Sequence, residues 1–199
     1  MGEHLTRTTT IEAIVPKKNN MGAHCFVRLR HEVQTPRDLA LVERQTLLYR
    51  EPAILSPLAT RKAPRPDGPA PEGWDWVRST SADEVTLFRY SALTFDTSRI
   101  HYDLRYATRE EGYPGLVVHG PLLATFLLSA LLQELPGATI TRFRFLARAP
   151  LFANETAHLC GRVAEQNPDV HSNTGGPRIE LAAIAPNGAV AIAALAELG

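Results

Sequence analysis

The sequence predicts an α+β fold: an antiparallel sheet wrapped around one long buried helix, preceded by a short all-β segment. Three observations carry that expectation. The segment GPLLATFLLSALLQELPG is apolar on nearly every side for about 14 residues, so as a helix it must be enclosed by protein. Four strand-like runs follow it, ITRFRFLARAPLF, TAHLCGRVAEQ, PRIELAAIAP and AVAIAALAEL, and one helix followed by antiparallel strands buries its surface against their sheet. Near the N-terminus lie three β-rich runs, none of which has the apolar stripe of a helix.

Taken in order, the first block spans residues 1–51. TTTIEAIVP, HCFVRLRHEV and LALVERQTLLYRE are β-rich, and Cys25, Val27 and Leu29 alternate with Phe26, Arg28 and Arg30. The connectors KKNNMG and QTPRD hold the Asn, Gly, Pro and Asp that turns use. The block reads as a three-stranded antiparallel meander, and three strands need something to pack against. Residues 52–83 carry Pro52, Pro57, Pro64, Pro66, Pro69 and Pro71. Prolines at that density block helices and ladders alike, so this block is expected to be an extended linker over a surface. Residues 84–199 open with VTLFRYSALTF and reach the apolar helix, where Pro121 suits a first turn and Gly137 after Pro136 suits an exit. Turn signals at Asn154-Glu155, Asn173 to Pro177 and Pro186-Asn187-Gly188 separate the later strands.

Composition narrows the function. The 199 residues hold 21 Lys+Arg and 21 Asp+Glu, for a formal net charge of zero. Neutral balance argues against a general nucleic-acid binder, which needs positive charge for phosphates. Apolar runs fall short of the roughly 18 residues of a membrane span, and MGEHLTRTTT lacks the apolar core of a secretory signal. Cys25 and Cys160 stand far apart, each in a strand-like run, and form neither a disulfide framework nor a metal knuckle. Both read as small core or half-buried residues in a reducing cytoplasm.

Two stretches can carry chemistry. In SALTFDTSRIHYD, Asp96 and His101 are five residues apart and flank Thr97, Ser98 and Arg99. A carboxylate and an imidazole can hold one water jointly, one taking its proton and the other orienting it. Five residues do not place two side chains on one helix face, so the pair converges only through a turn; the bland reading is a loop cap beside a structural hydrogen-bond partner. In GYPGLVVHGPLL, Gly120 directly precedes the apolar helix. The first turn of a helix presents unpaired N–H groups and a positive dipole end, a place to stabilise an oxyanion. Equally, Gly120 can serve the turn alone and His119 its cap. His24, His31, His158 and His171 show no ligand-like spacing, and GxGxxG, P-loop and GxSxG signatures are missing, so neither metal nor cofactor is expected. Arg142, Arg144 and Arg148 share one face of a strand, a solvated face or a stripe that meets phosphates.

LFRYSALTFDTSRIHYD followed by EEGYPGLVVHGPLLATFLL resembles the MaoC-like hydratase/dehydratase family, above all its branch of mitochondrial-type hydroxyacyl-thioester dehydratases and mesaconyl- or itaconyl-CoA hydratases. The resemblance covers nearly the whole chain. It implies the hot-dog fold, with the catalytic acid/base pair on Asp96 and His101 and the thioester-carbonyl donor on the backbone N–H of Gly120. Arg99, His119, Thr125 and Arg144 are the further residues expected to contact substrate. This chain departs from the family pattern at Ser98, often Asn there. A serine that some members carry beyond the glycine falls on Leu128, with Ser129 next to it and Thr125 one turn earlier. The closest branch frequently has Asn at position 96, where this chain has Asp.

The resemblance implies interconversion of 2-enoyl and 3-hydroxyacyl thioesters on CoA or acyl-carrier protein, by a homodimer or larger even-numbered assembly. Hydrolysis of a thioester, or a non-catalytic subunit that binds acyl thioesters, is the alternative. Residues 1–51 resemble the last strands of a first hot-dog domain, and 84–199 a complete second one. A natural truncation, a start placed too far downstream, or a partner supplying the rest each accounts for the first domain's missing opening half.

Overall fold

The computed structural model describes residues 2–19, 22–50, 67–164 and 176–199. The chain divides into two compact units, Met1–Ile54 and Leu55–Gly199. Most of the proline-rich segment, the Asn20-Met21 turn, His171 and the turn from Asn173 lie wholly or partly outside the described residues.

The first unit is the meander. Strands β1 (Thr6–Asn19), β2 (Gly22–Gln34) and β3 (Leu39–Arg50) pair antiparallel in the order β1-β2-β3. The β2–β3 turn is pinned by Thr35, whose N–H donates to Asp38 O at 2.9 Å and whose Oγ1 accepts from the Asp38 N–H at 3.0 Å. A register shift between Ile11 and Ala13 bulges β1, which adds local twist. Within this unit Ile11, Ile14, Leu41 and Leu48 are exposed.

The second unit is a five-stranded antiparallel sheet in the order β4-β6-β7-β8-β5. Its strands are β4 (Trp76–Ser81), β5 (Ile140–Ala147), β6 (Thr156–Val163), β7 (Arg178–Ile184) and β8 (Val190–Leu198). Across one face lies helix α3 (Gly120–Glu134), burying Leu123, Leu127 and Leu131 in a core with Leu159, Leu181 and Ile192. The sheet encloses this helix on one side only. Thr125, Ser129 and Leu132 on its other side are exposed, so the apolar character all round the sequence is not matched by burial all round within this unit.

One sequence expectation needs correction. The linker was expected to run through residue 83, yet Trp76–Ser81 is an edge strand paired with β6 from Trp76↔Gly161 to Ser81↔Thr156. The prolines stop at Pro71, and WVRSTS beyond them is free to enter a ladder. Just before it, Asp67 accepts from Thr156 Oγ1 at 2.7 Å, and Gly68 O lies 3.2 Å from His158 Nε2. Two shorter helices accompany the long one. VTLFRYSALT forms α1 (Glu84–Thr94), and LRYATR forms α2 (Leu104–Arg109). Both are short, and both start on an aspartate cap: Asp83 accepts from Thr86 N–H at 2.7 Å and Asp103 from Tyr106 N–H at 2.9 Å.

Candidate active site

The site forms where α1 ends and α3 begins. Phe95 closes α1 in the left-handed conformation, φ 55° and ψ 30°, and the Asp96 N–H turns back to Ser91 O at 3.0 Å, one of the ways a helix C-terminus satisfies its carbonyls. Asp96 Oδ1 then accepts from the Ser98 N–H at 2.9 Å, a turn closed by the aspartate itself. A 3-10 turn over Arg99–His101 follows. Together these reversals bring Asp96 Oδ2 to 3.8 Å from His101 Nε2. The pair converges through a turn, as its five-residue spacing requires.

His101 is buried, and its Nδ1 lies 2.7 Å from Val117 O. A carbonyl only accepts, so Nδ1 carries a proton, and in the neutral ring Nε2 presents its lone pair toward Asp96. Val117 is held in turn: its N–H donates to Ile100 O at 3.0 Å, and it bridges Phe152. Asp96 sits below the ordinary aspartate value. Partial burial pushes it up, but hydrogen bonds from the Ser98 side chain and backbone, with the nearby imidazoles of His101 and His119, outweigh that. The carboxylate is therefore ionised at neutral pH and a weak base. At 3.8 Å the two groups are too far apart for a direct hydrogen bond and well placed to share one water, ~2.8 Å from each.

Gly120 is the first residue of α3, and Pro121 follows it. The Gly120 N–H is therefore an intrahelically unpaired donor at the positive helix end. It is joined by the chain to His119, whose ring stacks on His101 with centroids 3.7 Å apart. Asp96, His101 and His119 place donor atoms within 4.8 Å of one another. That set does not fit a metal ion. The two imidazoles lie nearly parallel, 18° apart, so their in-plane lone pairs cannot converge on one point. His101 Nδ1 and His119 Nε2 are also already engaged.

The four further residues expected at the substrate have the following settings. His119 is only 1% exposed and stacks against the ring of His101. Arg99 is paired with Asp103 at 2.7 Å and packs 4.2 Å from the Tyr106 ring. Thr125 is exposed and donates to Pro121 O of its own helix at 2.9 Å. Arg144 lies 3.9 Å from Glu197, which Arg142 also meets at 3.9 Å. Alternate residues of a strand face opposite ways; Ala147 is the one against Gly120, so Arg144 faces away. Two participants escaped the sequence reading. The Val117 carbonyl has no side-chain signature, and Ser91 becomes relevant only once α1 places it 2.9 Å from His119. Cys160 is a buried core residue whose thiol burial pushes up to about 11.

A sheet carrying one long helix gives the chain the hot-dog fold that solved MaoC-like dehydratases share. The chain belongs to the hydroxyacyl-thioester dehydratase type 2 family, which matches residues 1–153. Over all of its 199 residues it is 38% identical to mesaconyl-C(4)-CoA hydratase of Chloroflexus aurantiacus, of which it covers 65%. Over 77% of its length it is 31% identical to the mitochondrial hydroxyacyl-thioester dehydratase type 2 of Schizosaccharomyces pombe, of which it covers 52%. The MaoC-like dehydratase from Phytophthora capsici shares the fold, with a TM-score of 0.65 at 15% identity over 98% of this chain and 64% of that one. The chain thus spans about two thirds of the first of these curated relatives and about half of the second. Among the described residues, none of the helices is long and apolar enough to cross a membrane.

Proposed function

We propose that this chain catalyses the reversible addition of water to a 2-enoyl thioester, giving the 3-hydroxyacyl thioester. The observation that carries the reading is the 3.8 Å approach of Asp96 Oδ2 to His101 Nε2, with His101 turned to present a lone pair there by its bond to Val117 O. Asp96, ionised, accepts one hydrogen of the water and aims its oxygen. His101 Nε2 takes the other proton as the oxygen adds to C3. The imidazolium then returns that proton to C2, so one group serves as base and acid. Both new bonds form on the same face of the double bond. Charge that builds on the thioester oxygen between these steps meets the Gly120 N–H, whose polarised position favours the transition state over the ground state.

Crotonyl-CoA tests this directly. Loss of enoyl absorbance without release of free thiol supports a hydratase; thiol release makes the chain a thioesterase; neither event across a panel of enoyl thioesters refutes the reading. The panel starts with mesaconyl-CoA, because the relative that is 38% identical over the full chain is named for it, and includes itaconyl-CoA and an acyl-carrier thioester. We place the activity in the unit that contains β4 to β8, with residues 1–51 as the strands of a partial domain. We also read the working form as a homodimer or larger even assembly: β5 is an edge strand of its sheet and exposes Phe145 and Leu146, and unpaired edges tend to pair. The two free cysteines accord with a reducing compartment, the cytoplasm in our reading.

A further inference from the structure

His119 is the most enclosed polar side chain of the site, and the mechanism above leaves it no task. It stands at the cap position of α3, yet its side chain makes no capping bond. Its ring instead lies flat against His101, centroids 3.7 Å apart and planes 18° apart. Nε2 is 2.9 Å from Ser91 Oγ on α1, and the Tyr90 ring leans on it at 4.8 Å. Nδ1 is buried without a hydrogen-bond partner among the described residues. A buried polar atom without a partner is costly, so packing alone gives no reason for Nδ1 here. What the imidazole adds is the bond to Ser91, which fixes the plane of the ring.

We propose that His119, anchored by Ser91, is a positioning residue that holds the His101 ring so that Nε2 faces Asp96. The bond from His101 Nδ1 to Val117 O fixes one point of that ring. With its covalent bond at Cγ and that one hydrogen bond the ring can still tilt; a flat neighbour on its face limits the tilt, and the Ser91 bond keeps that neighbour from turning. Alignment of this kind matters because a misplacement of ~1 Å at a reacting group can cost ~10²-fold. The groups that face His119 are His101, Asp96, Tyr90 and the Ser91 hydroxyl. Burial first, and the His101 imidazole second, push His119 down to about 4 against the pull of Asp96. His119 therefore stays neutral at working pH and does not repel the imidazolium that His101 becomes.

The effect on turnover rests on the hydratase reading; the effect on the His101 ring does not. The test uses the full chain with Ser91→Ala, which deletes only the anchor, and His119→Phe, which keeps a flat ring and removes both nitrogens. His119→Phe is expected to melt within a few degrees of the parent, since it removes the unpartnered nitrogen but also takes from the buried Ser91 hydroxyl its partner. Both variants are expected to lose ~10-fold or more in kcat on the accepted enoyl thioester with KM within about twofold. In proton–nitrogen spectra the His101 Nδ1–H signal should be sharp in the parent chain and broaden in both variants. Unchanged kcat in both variants, a loss carried by KM, or turnover falling only in step with melting temperature while the His101 signal stays sharp would each overturn the proposal. A parent chain inactive on every enoyl thioester removes the hydratase reading, and the spectra still decide whether His119 positions His101.

Discussion

Replacing Asp96 by asparagine isolates the charge from the shape. The amide oxygen can keep the 2.9 Å bond from the Ser98 N–H, so the turn that presents the residue survives. What disappears is a carboxylate 3.8 Å from His101 Nε2, which faces an imidazolium once the water proton has moved. At an effective dielectric of ~20, unit charges at that spacing attract by ~4 kcal/mol. The Asp96 side chain is 38% exposed, so solvent screening reduces this to about half, ~2 kcal/mol. That alone is a loss of ~30-fold. The amide also donates at one oxygen position where the carboxylate accepted, which misorients the water. The combined expectation is a fall of about a hundredfold in kcat with KM little changed, at the lower end of what positioned acid/base groups contribute. Enoyl-absorbance kinetics near pH 7.5 measure it, with a circular-dichroism melt as the control for folding. Asparagine at this position turning over within about threefold of the parent, with an unchanged melt, would refute the argument that the carboxylate stabilises the imidazolium. His101→Ala should lose at least as much, because it deletes the base itself.

Three further outcomes are expected. Gly120→Ala should keep most activity, because a Cβ there meets only Ala147 Cβ at 3.7 Å and Ile192 Cδ1 at 3.8 Å, whereas Gly120→Pro deletes the N–H and should approach the ~2.7–4 kcal/mol loss of an oxyanion donor; a folded proline variant with full activity removes that donor from the mechanism. Phe95→Gly should raise stability by ~1 kcal/mol in urea melts, since Phe95 holds φ 55° and is 90% exposed, so the left-handed strain goes and little packing is lost; a lower midpoint contradicts this. Stability should fall as pH drops from 6.5 toward 4. His119 titrates near 4 in the fold against 6.5 when unfolded, so the unfolded chain binds the extra proton in that window. The loss amounts to ~3 kcal/mol by the bottom of the window, and His119→Phe should flatten this part of the pH–stability curve.

Much of the architecture was legible because each signal was local. The apolar run from Leu122 to Leu135, with Pro121 before it and Gly137 after it, could only be a helix packed on a sheet, and the strand runs around it alternate and end in turn residues. The short helices were illegible for the opposite reason. VTLFRYSALT is mixed in β-branched, aromatic and small residues, and its helix rests on the Asp83 cap and on tertiary contacts of Leu87 and Ser91 more than on a periodic stripe. β4 was masked by its neighbours: six residues of strand beside a proline-rich segment read as more linker until β6 is present to pair with them.

The site divides along the same line. Residue types and spacing were enough to nominate Asp96, His101 and Gly120, since carboxylate, imidazole and a glycine before a proline-started helix are chemical signatures in themselves. Which of the acid/base pair takes the proton was not in the spacing. The proposed assignment to His101 rests on a backbone carbonyl 16 residues away, Val117 O, 2.7 Å from His101 Nδ1, and a carbonyl oxygen looks the same in every residue. His119 shows the converse. Its identity invited a role as cap or substrate contact, and only its burial against His101 turns it from a contact into a support. In the proposed mechanism the base is therefore set by backbone pairing: Val117 N–H to Ile100 O and Val117 to Phe152 hold the carbonyl that holds the imidazole. A substitution that loosens that bridge should change the rate without touching any side chain that meets the substrate.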